Sequence, residues 1–290
     1  MENKSRLLVK DSFPFVLGNL ECQIIRDTVG RPMRLDKLFP SIKGKDMDQF
    51  LNQNHISRGE VMNVMCLLIR MPQQIVLIDT GWGISKQSDR GKLVSILGKN
   101  GLEPEAINTV IISHGHPDHI GGNTDETGRP LFPEARYIMF KKEWDYWTSI
   151  PDLKQIDIRI QQEMHTYVRK NLILLRERFM LVDEQIEFLP GIKFIRAPGH
   201  SRHHCILSIS SGAERLLYSS DLVHHPVQIL LPELGLFTDL NPEQASHTRT
   251  KIILQAAKTK VLIFACHFPF PGLGRIEKSG NSLIWQPQGR

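Results

Sequence analysis

Apolar residues in this chain fall into two dense blocks, separated by segments whose apolar positions recur every three or four residues. In the first block, residues 61–70 and 74–79 are rich in Val, Ile and Leu, and the Met71-Pro72-Gln73 between them reads as a turn. The two runs predict a buried hairpin that ends at Asp79-Thr80-Gly81. A helix over 91–102 and a short strand over 109–113 follow. That strand empties into a loop broken by Gly and Pro, residues 114–122, and another strand covers 137–140. Residues 141 to about 178 read as mainly helical. There Ile156, Ile160, Met164, Tyr167, Val168, Leu172 and Leu175 form a stripe at helical spacing, either a packing face or a lid. The second block runs from about 186 to 221, with a hairpin turn at Ser211-Gly212-Ala213-Glu214. Asn241-Pro242 starts a final helix, because Asn caps a helix end and Pro is tolerated at its first position. A strand over 261–265 closes the pattern at Cys266-His267. The order predicts an α+β fold, an αβ/βα sandwich of two packed mixed sheets flanked by helices. No linker divides it, so one domain over residues 1–290 is expected, with a helical insertion at about 145–178.

Composition narrows the setting. With 290 residues, 41% hydrophobic and 23% charged, the chain has ample length for a buried core. Its apolar runs fall well short of the ~20 residues a membrane helix needs, and the charged start, Met1 to Arg6, does not resemble a signal peptide. Four cysteines, Cys22, Cys66, Cys205 and Cys266, lie far apart and mostly inside apolar runs, which points to a reducing, cytoplasmic setting. The net charge of +5 comes from basic residues interleaved with acidic ones, so neither nucleic acid nor membrane is an expected partner.

Twelve histidines would mean little if scattered, but here they gather at the ends of predicted strands. His114 and His116, two apart at the mouth of one strand, can turn toward one ion, leaving Asp118 and His119 on the other side of the loop for a second. Imidazole and carboxylate are the ligands expected of zinc or a similar divalent ion. His200, in Pro198-Gly199-His200-Ser201, and Asp221 and His267, each closing a strand, would join them if the fold gathers its strand ends at one edge. Taken singly, a His200 or His267 in a strand-rich chain is more often a hydrogen-bonded structural residue than a ligand, and Asp79 reads equally well as a turn former. His203, His204 and His225 are surplus, with His204 a candidate for packing behind the ligands.

The ordered set His114-x-His116-x-Asp118-His119, Pro198-Gly199-His200, Asp221 and His267 resembles the metallo-β-lactamase-fold superfamily of metallohydrolases, from Asp79 to His267. Within it, Asp221-Leu222-Val223-His224-His225-Pro226 and His267-Phe268-Pro269-Phe270-Pro271-Gly272 look most like the branch of lactonases and methyl-parathion-hydrolase-like enzymes. The resemblance implies two divalent ions, zinc foremost. His114, His116 and His200 would hold one and Asp118, His119 and His267 the other, with Asp221 bridging and Asp79 in support. It also implies cleavage of a small-molecule ester, a lactone or an organophosphate, by a hydroxide bridging the metals. Asp118 would return a proton to the leaving alkoxide. Acyl-homoserine lactonases of the family carry a Tyr where this chain has His224. A His there resembles the organophosphate side and makes His224 a candidate for contacting the substrate oxygen. The alternatives are a glyoxalase-type thioester hydrolase, a phosphodiesterase, or a non-catalytic metal-binding relative. Phe237, Phe268 and Phe270 are candidates either for a pocket wall or for core, and loop 224–240 for setting substrate size. The N-terminal β stretch and the helical stripe are candidate homodimer faces.

Overall fold

The computed structural model describes residues 11–54, 56, 59–83, 90–151, 153, 156–183, 186–280 and 282–289. The chain start at Met1 to Arg6 and three residues of the expected insertion (152, 154 and 155) lie outside them. One seven-stranded sheet contains β1 (Ser12–Leu17), β2 (Leu20–Arg34), β3 (Gly59–Met71), β4 (Gln74–Ile78), β5 (Thr109–Ile112), β6 (Arg136–Phe140) and β7 (Phe179–Val182), in that spatial order. Strands β1 to β4 pair antiparallel and β4 to β7 parallel. A second seven-stranded sheet runs β8 (Glu187–Leu189), β9 (Ile192–Arg196), β10 (Cys205–Ser211), β11 (Glu214–Tyr218), β12 (Leu262–Phe264), β13 (Leu273–Ser279) and β14 (Ser282–Pro287). Only its β11–β12 pair is parallel.

The continuous apolar runs follow from burial on both faces of the first sheet, since successive strand residues point to opposite sides. Leu67, Ile69, Val76, Ile78 and Ile111 face the second sheet, meeting Phe194, Leu207, Leu216, Tyr218 and Phe264. Their chain neighbours Leu68, Leu77, Val110 and Ile112 face outward, under α3 (Leu93–Lys99), α5 (Lys141–Thr148) and α6 (Ile158–Asn171). Truncating one such side chain, as in Leu77→Ala, is worth about 2–5 kcal/mol. Behind the second sheet, α8 (Pro242–Thr259) lays Ile253 and Ala256 on Ile206 and Ile263. The expected α+β sandwich is therefore what forms. As expected, Asn241 caps α8, its side chain accepting from Gln244 N over 3.0 Å.

Several elements differ from the sequence expectation. Strands β1 and β2 and the short helices α1 (Leu35–Leu38) and α2 (Lys45–Gln53) were not foreseen. Polar interruptions such as Arg26-Asp27-Thr28 hide β2, and a register shift between Arg26 and Thr28 breaks its alternation. Leu35, Leu38, Phe39 and Leu51 of this segment form a satellite core with Leu234, Leu236 and Val227, the last at the start of α7 (Val227–Leu230). On the stripe, Met164 and Val168 of α6 and Leu172 and Leu175 just beyond it are buried in the core, whereas Ile160 is exposed. Phe268 is fully buried against Trp285, which makes it core and not pocket wall; Phe270 packs edge-on against Phe13. Phe237 is half exposed. No helix among the described residues is long and apolar enough to cross a membrane.

Candidate metal centre

The residues singled out in the sequence converge where the parallel strands end. β4 delivers Asp79, β5 delivers Ser113 and His114, β11 leads through Ser219 and Ser220 to Asp221, and β12 leads to Cys266 and His267. The expected open loop after His116 is instead a one-turn helix, α4 (Pro117–Ile120), with Pro117 at its first position. This turn sets Asp118 and His119 on consecutive helical positions. Gly115 has a steric reason to be glycine, since a Cβ there would lie 2.4 Å from the Trp147 ring. Asp79 and Ser220 both adopt left-handed backbone, φ 57° and 44°, unusual for residues with side chains and typical of sites that are held under strain.

Asp221 lies at the centre. Its Oδ2 faces His114 Nε2 at 3.6 Å, His200 Nε2 at 3.0 Å and His224 Nε2 at 3.1 Å. Its Oδ1 faces His119 Nε2 at 2.9 Å and His267 Nε2 at 3.0 Å. His116 joins the first set, with Nδ1 2.9 Å from His200 Nε2. Asp118 Oδ2 stands 3.8 Å from His119 Nε2 and 3.9 Å from His267 Nε2, on the more exposed side. Two groups of donors result, His114-His116-His200-Asp221 and His119-Asp221-Cys266-His267, each with its ligand atoms within 4.8 Å of one another.

The far nitrogens of these rings explain the orientation. His119 Nδ1 bonds Asp79 Oδ2 at 2.7 Å, His200 Nδ1 bonds Asp239 Oδ1 at 2.9 Å, and His267 Nδ1 bonds the Asn63 carbonyl at 2.7 Å. A neutral ring that donates from Nδ1 turns a bare Nε2 lone pair inward. Three such lone pairs aimed at one carboxylate repel it unless positive charge lies between. Burial works against protonating His119, yet the Asp221, Asp79 and Asp118 carboxylates raise its pKa well above the ordinary value. His200 follows, lifted against burial to about 9 by Asp221 and Asp239. Burial leaves His114 and His116 far below the usual range, and their Nε2 atoms, with that of His119, have no hydrogen-bond partner. The donor set fits two divalent ions.

Supporting residues surround the cluster. Asp79 also accepts from Ser113 N and Oγ, at 2.8 and 2.7 Å, and from Tyr218 Oη at 2.5 Å. His204, held at about 3 by burial, accepts the Asp221 N–H at Nε2 over 3.2 Å, while its Nδ1 lies 3.0 Å from the Ala197 carbonyl. Both expected supporting residues therefore touch the cluster. Sequence reasoning missed Asp239, Tyr218 and Glu143. Glu143 is fully buried and accepts from Trp147 Nε1 at 2.6 Å, Ser201 Oγ at 2.5 Å and His203 N at 3.2 Å. It ties α5 to the turn that carries His200, and Trp147 packs edge-on against His116. The one available signal was the helical spacing of Glu143 and Trp147. His224 stacks on His267 with ring centroids 5.0 Å apart, and burial lowers its pKa to about 4.

Comparison with known proteins agrees with this geometry. The sequence profile of the Metallo-beta-lactamase superfamily matches residues 59–267. An N-acyl homoserine lactonase of Bacillus thuringiensis is 24% identical over 260 residues, covering 81% of this chain and 94% of its own. Among solved structures, AidC, a dizinc quorum-quenching lactonase bound to its N-hexanoyl-L-homoserine product, superposes with a TM-score of 0.86 at 28% identity. The match covers 96% of this chain and 98% of AidC. The hydrolase AbOPH matches with a TM-score of 0.86 at 23% identity, over 97% of this chain and 99% of its own, and shares the fold.

Proposed function

This chain belongs to the metallo-beta-lactamase superfamily, and on that premise we propose that it is a dinuclear metal-dependent hydrolase that opens the ester bond of an N-acyl homoserine lactone. The observation that carries the reading is the division of Asp221, one carboxylate oxygen toward each group of imidazoles. The lactone assignment draws on the Bacillus lactonase and on AidC, a dizinc enzyme whose product is an acyl homoserine. The four cysteines are all buried, in keeping with a reducing cytoplasm as the setting.

His114, His116 and His200 would hold one ion and Asp118, His119 and His267 the other, with Asp221 shared between them. The chemistry such a pair would supply is acidification of a water and polarisation of the ester carbonyl. The protein's own groups orient and move protons. Asp79, Asp239 and the Asn63 carbonyl fix the imidazoles so that no reorganisation is needed as charge develops. Asp118 has the most accessible carboxylate of the set and returns a proton to the leaving alkoxide. His224, whose Nε2 lies 3.1 Å from Asp221 Oδ2, contacts the substrate oxygen.

Metal-reconstituted protein given a long-chain acyl-homoserine lactone, an aryl phosphotriester and a simple aryl ester side by side tests the reading. Chelation should abolish all turnover, and the lactone should be cleaved fastest. A dominant phosphotriester rate would move the chain to the organophosphate hydrolases. Full rate and full metal content in Asp221→Ala would remove the bridging role.

A further inference from the structure

We propose that Cys266 adds a thiolate to the second group of metal donors, making that half of the centre a mixed nitrogen, oxygen and sulfur site. This rests on the two-metal reading and extends it to a residue of this chain outside the seven His and Asp positions. Cys266 follows the end of β12, immediately before His267, and is 1% exposed. Its Sγ belongs to the same compact set as the ligand atoms of His119, Asp221 and His267, all within 4.8 Å of one another. Independently of the cysteine, the fully buried Nε2 of His119 points into this set and has no hydrogen-bond partner, although Asp221 Oδ1 is 2.9 Å away. That nitrogen is oriented for a cation, and the sulfur lies within reach of the same point.

The alternative is that the thiol is only core packing. Its hydrogen bond to the Ser220 carbonyl, at 3.6 Å, is a weak tie that a metal would readily outcompete. Asp118 approaches from the solvent side, 14% exposed, whereas Cys266 lies on the inner side. The two therefore do not compete for one position. With Asp118, Asp221 and a Cys266 thiolate, the centre offers three negative charges to two divalent ions. On metal entry the S–H bond breaks, its proton leaves to solvent and a sulfur–metal bond forms, so no oxidant or reductant is involved. A sulfur donor tilts the second position toward zinc and cobalt over manganese, while the first keeps nitrogen and oxygen donors only.

Cobalt(II) reports the donor directly. Wild-type protein loaded with two cobalt ions should show a near-ultraviolet sulfur-to-cobalt charge-transfer band. Cys266→Ser and Cys266→Ala should lose it while keeping the visible bands of histidine-bound cobalt. Cys66, a buried thiol close enough to feel the charge of Cys266, is the control, and Cys66→Ser should keep the band. Two bound cobalt ions without the band in the wild type, or a band that survives Cys266→Ser, would overturn the proposal. Failure to take up two ions would instead refute the two-metal reading on which it stands. Should both Cys266 variants fail to fold, the wild-type and Cys66→Ser spectra still decide.

Discussion

His200 donates its Nδ1 hydrogen to Asp239 Oδ1 across 2.9 Å, and that bond turns the other ring nitrogen toward Asp221. Asp239 is itself held, since its Oδ2 accepts from Leu236 N at 2.9 Å and from Arg249 Nη2 at 3.3 Å. Arg249 is 1% exposed and also donates to the carbonyls of Leu222, Pro232 and Leu234. Burial works to raise the Asp239 carboxyl, and His200 with Arg249 outweighs it, so it stays ionised.

Asp239→Asn should therefore loosen the first metal position selectively. An amide must turn its NH2 either toward Leu236 N and Arg249 or toward His200 Nδ1–H, and each choice sets donor against donor. Metal affinity at the His114-His116-His200 group should fall about 10–100-fold, the usual cost of losing a group that orients a ligand. Titration against a competing chelator measures this. Unchanged affinity at both positions would show that Asp239 does not orient the ring.

Glu143 gives a pH signature. Burial pushes its carboxyl up to about 7 from an ordinary 4.5, against the hydrogen bonds from Ser201, Trp147 and His203. Between those values the folded protein keeps a proton that the unfolded chain has released. The stabilisation is complete below about pH 4.5 and is lost as pH rises through 7, about 3 kcal/mol in all. Glu143→Gln cannot titrate. In urea unfolding with chelator present, the stability of wild type relative to the variant should decline over that range and level off above it. A flat difference would mean that Glu143 is ionised throughout.

Gly115→Ala tests the wedge between His114 and His116. The added methyl would lie 2.4 Å from the Trp147 ring, and that ring is pinned by its bond to Glu143. Overpacking of this kind costs about 1–3 kcal/mol. Denaturant midpoints should fall accordingly, and a neutral result would mean that the α5 side of the site yields easily.

The legible part of this protein was the part whose chemistry is local in sequence. Leu67-Leu68-Ile69 and Val76-Leu77-Ile78 announce strands buried on both faces, and His114 to His119 announce a ligand loop, because spacing alone brings those groups together. Of the supporting carboxylates, Asp79 stood out but two others did not. Asp239 is 39 residues from His200 and Glu143 is 58 from Ser201, too far apart for spacing to link them. Burial makes them informative, and burial is a property of the packed sandwich. Cys266 was masked in another way: at the end of an apolar strand a thiol reads as a small hydrophobe until the neighbouring imidazoles are in place. Strand β2 was hidden because Asp27 is buried, accepting from Thr28 Oγ1 at 2.8 Å, Trp82 N at 3.1 Å and Leu93 N at 3.0 Å. A carboxylate in mid-strand breaks the apolar pattern that sequence reading follows.

His224 separates substrate contact from scaffolding. It stacks on His267 at an interplanar angle of 8°, Nε2 lies 3.1 Å from Asp221 Oδ2, and its N–H is anchored by Gln228 Oε1 at 2.7 Å. If its ring serves only as packing, His224→Ala should disturb His267 and lower metal content in step with rate. If it holds the substrate oxygen, metal content should stay at two ions while kcat/KM for the lactone falls about 10–100-fold, the worth of one hydrogen bond to a developing charge. His224→Tyr should then restore lactone turnover, since a phenol in its place still presents a donor. Metal content and kcat/KM measured together on both variants distinguish the cases. Loss of metal in His224→Ala, or full lactone turnover with both ions bound, would remove His224 from the substrate contacts.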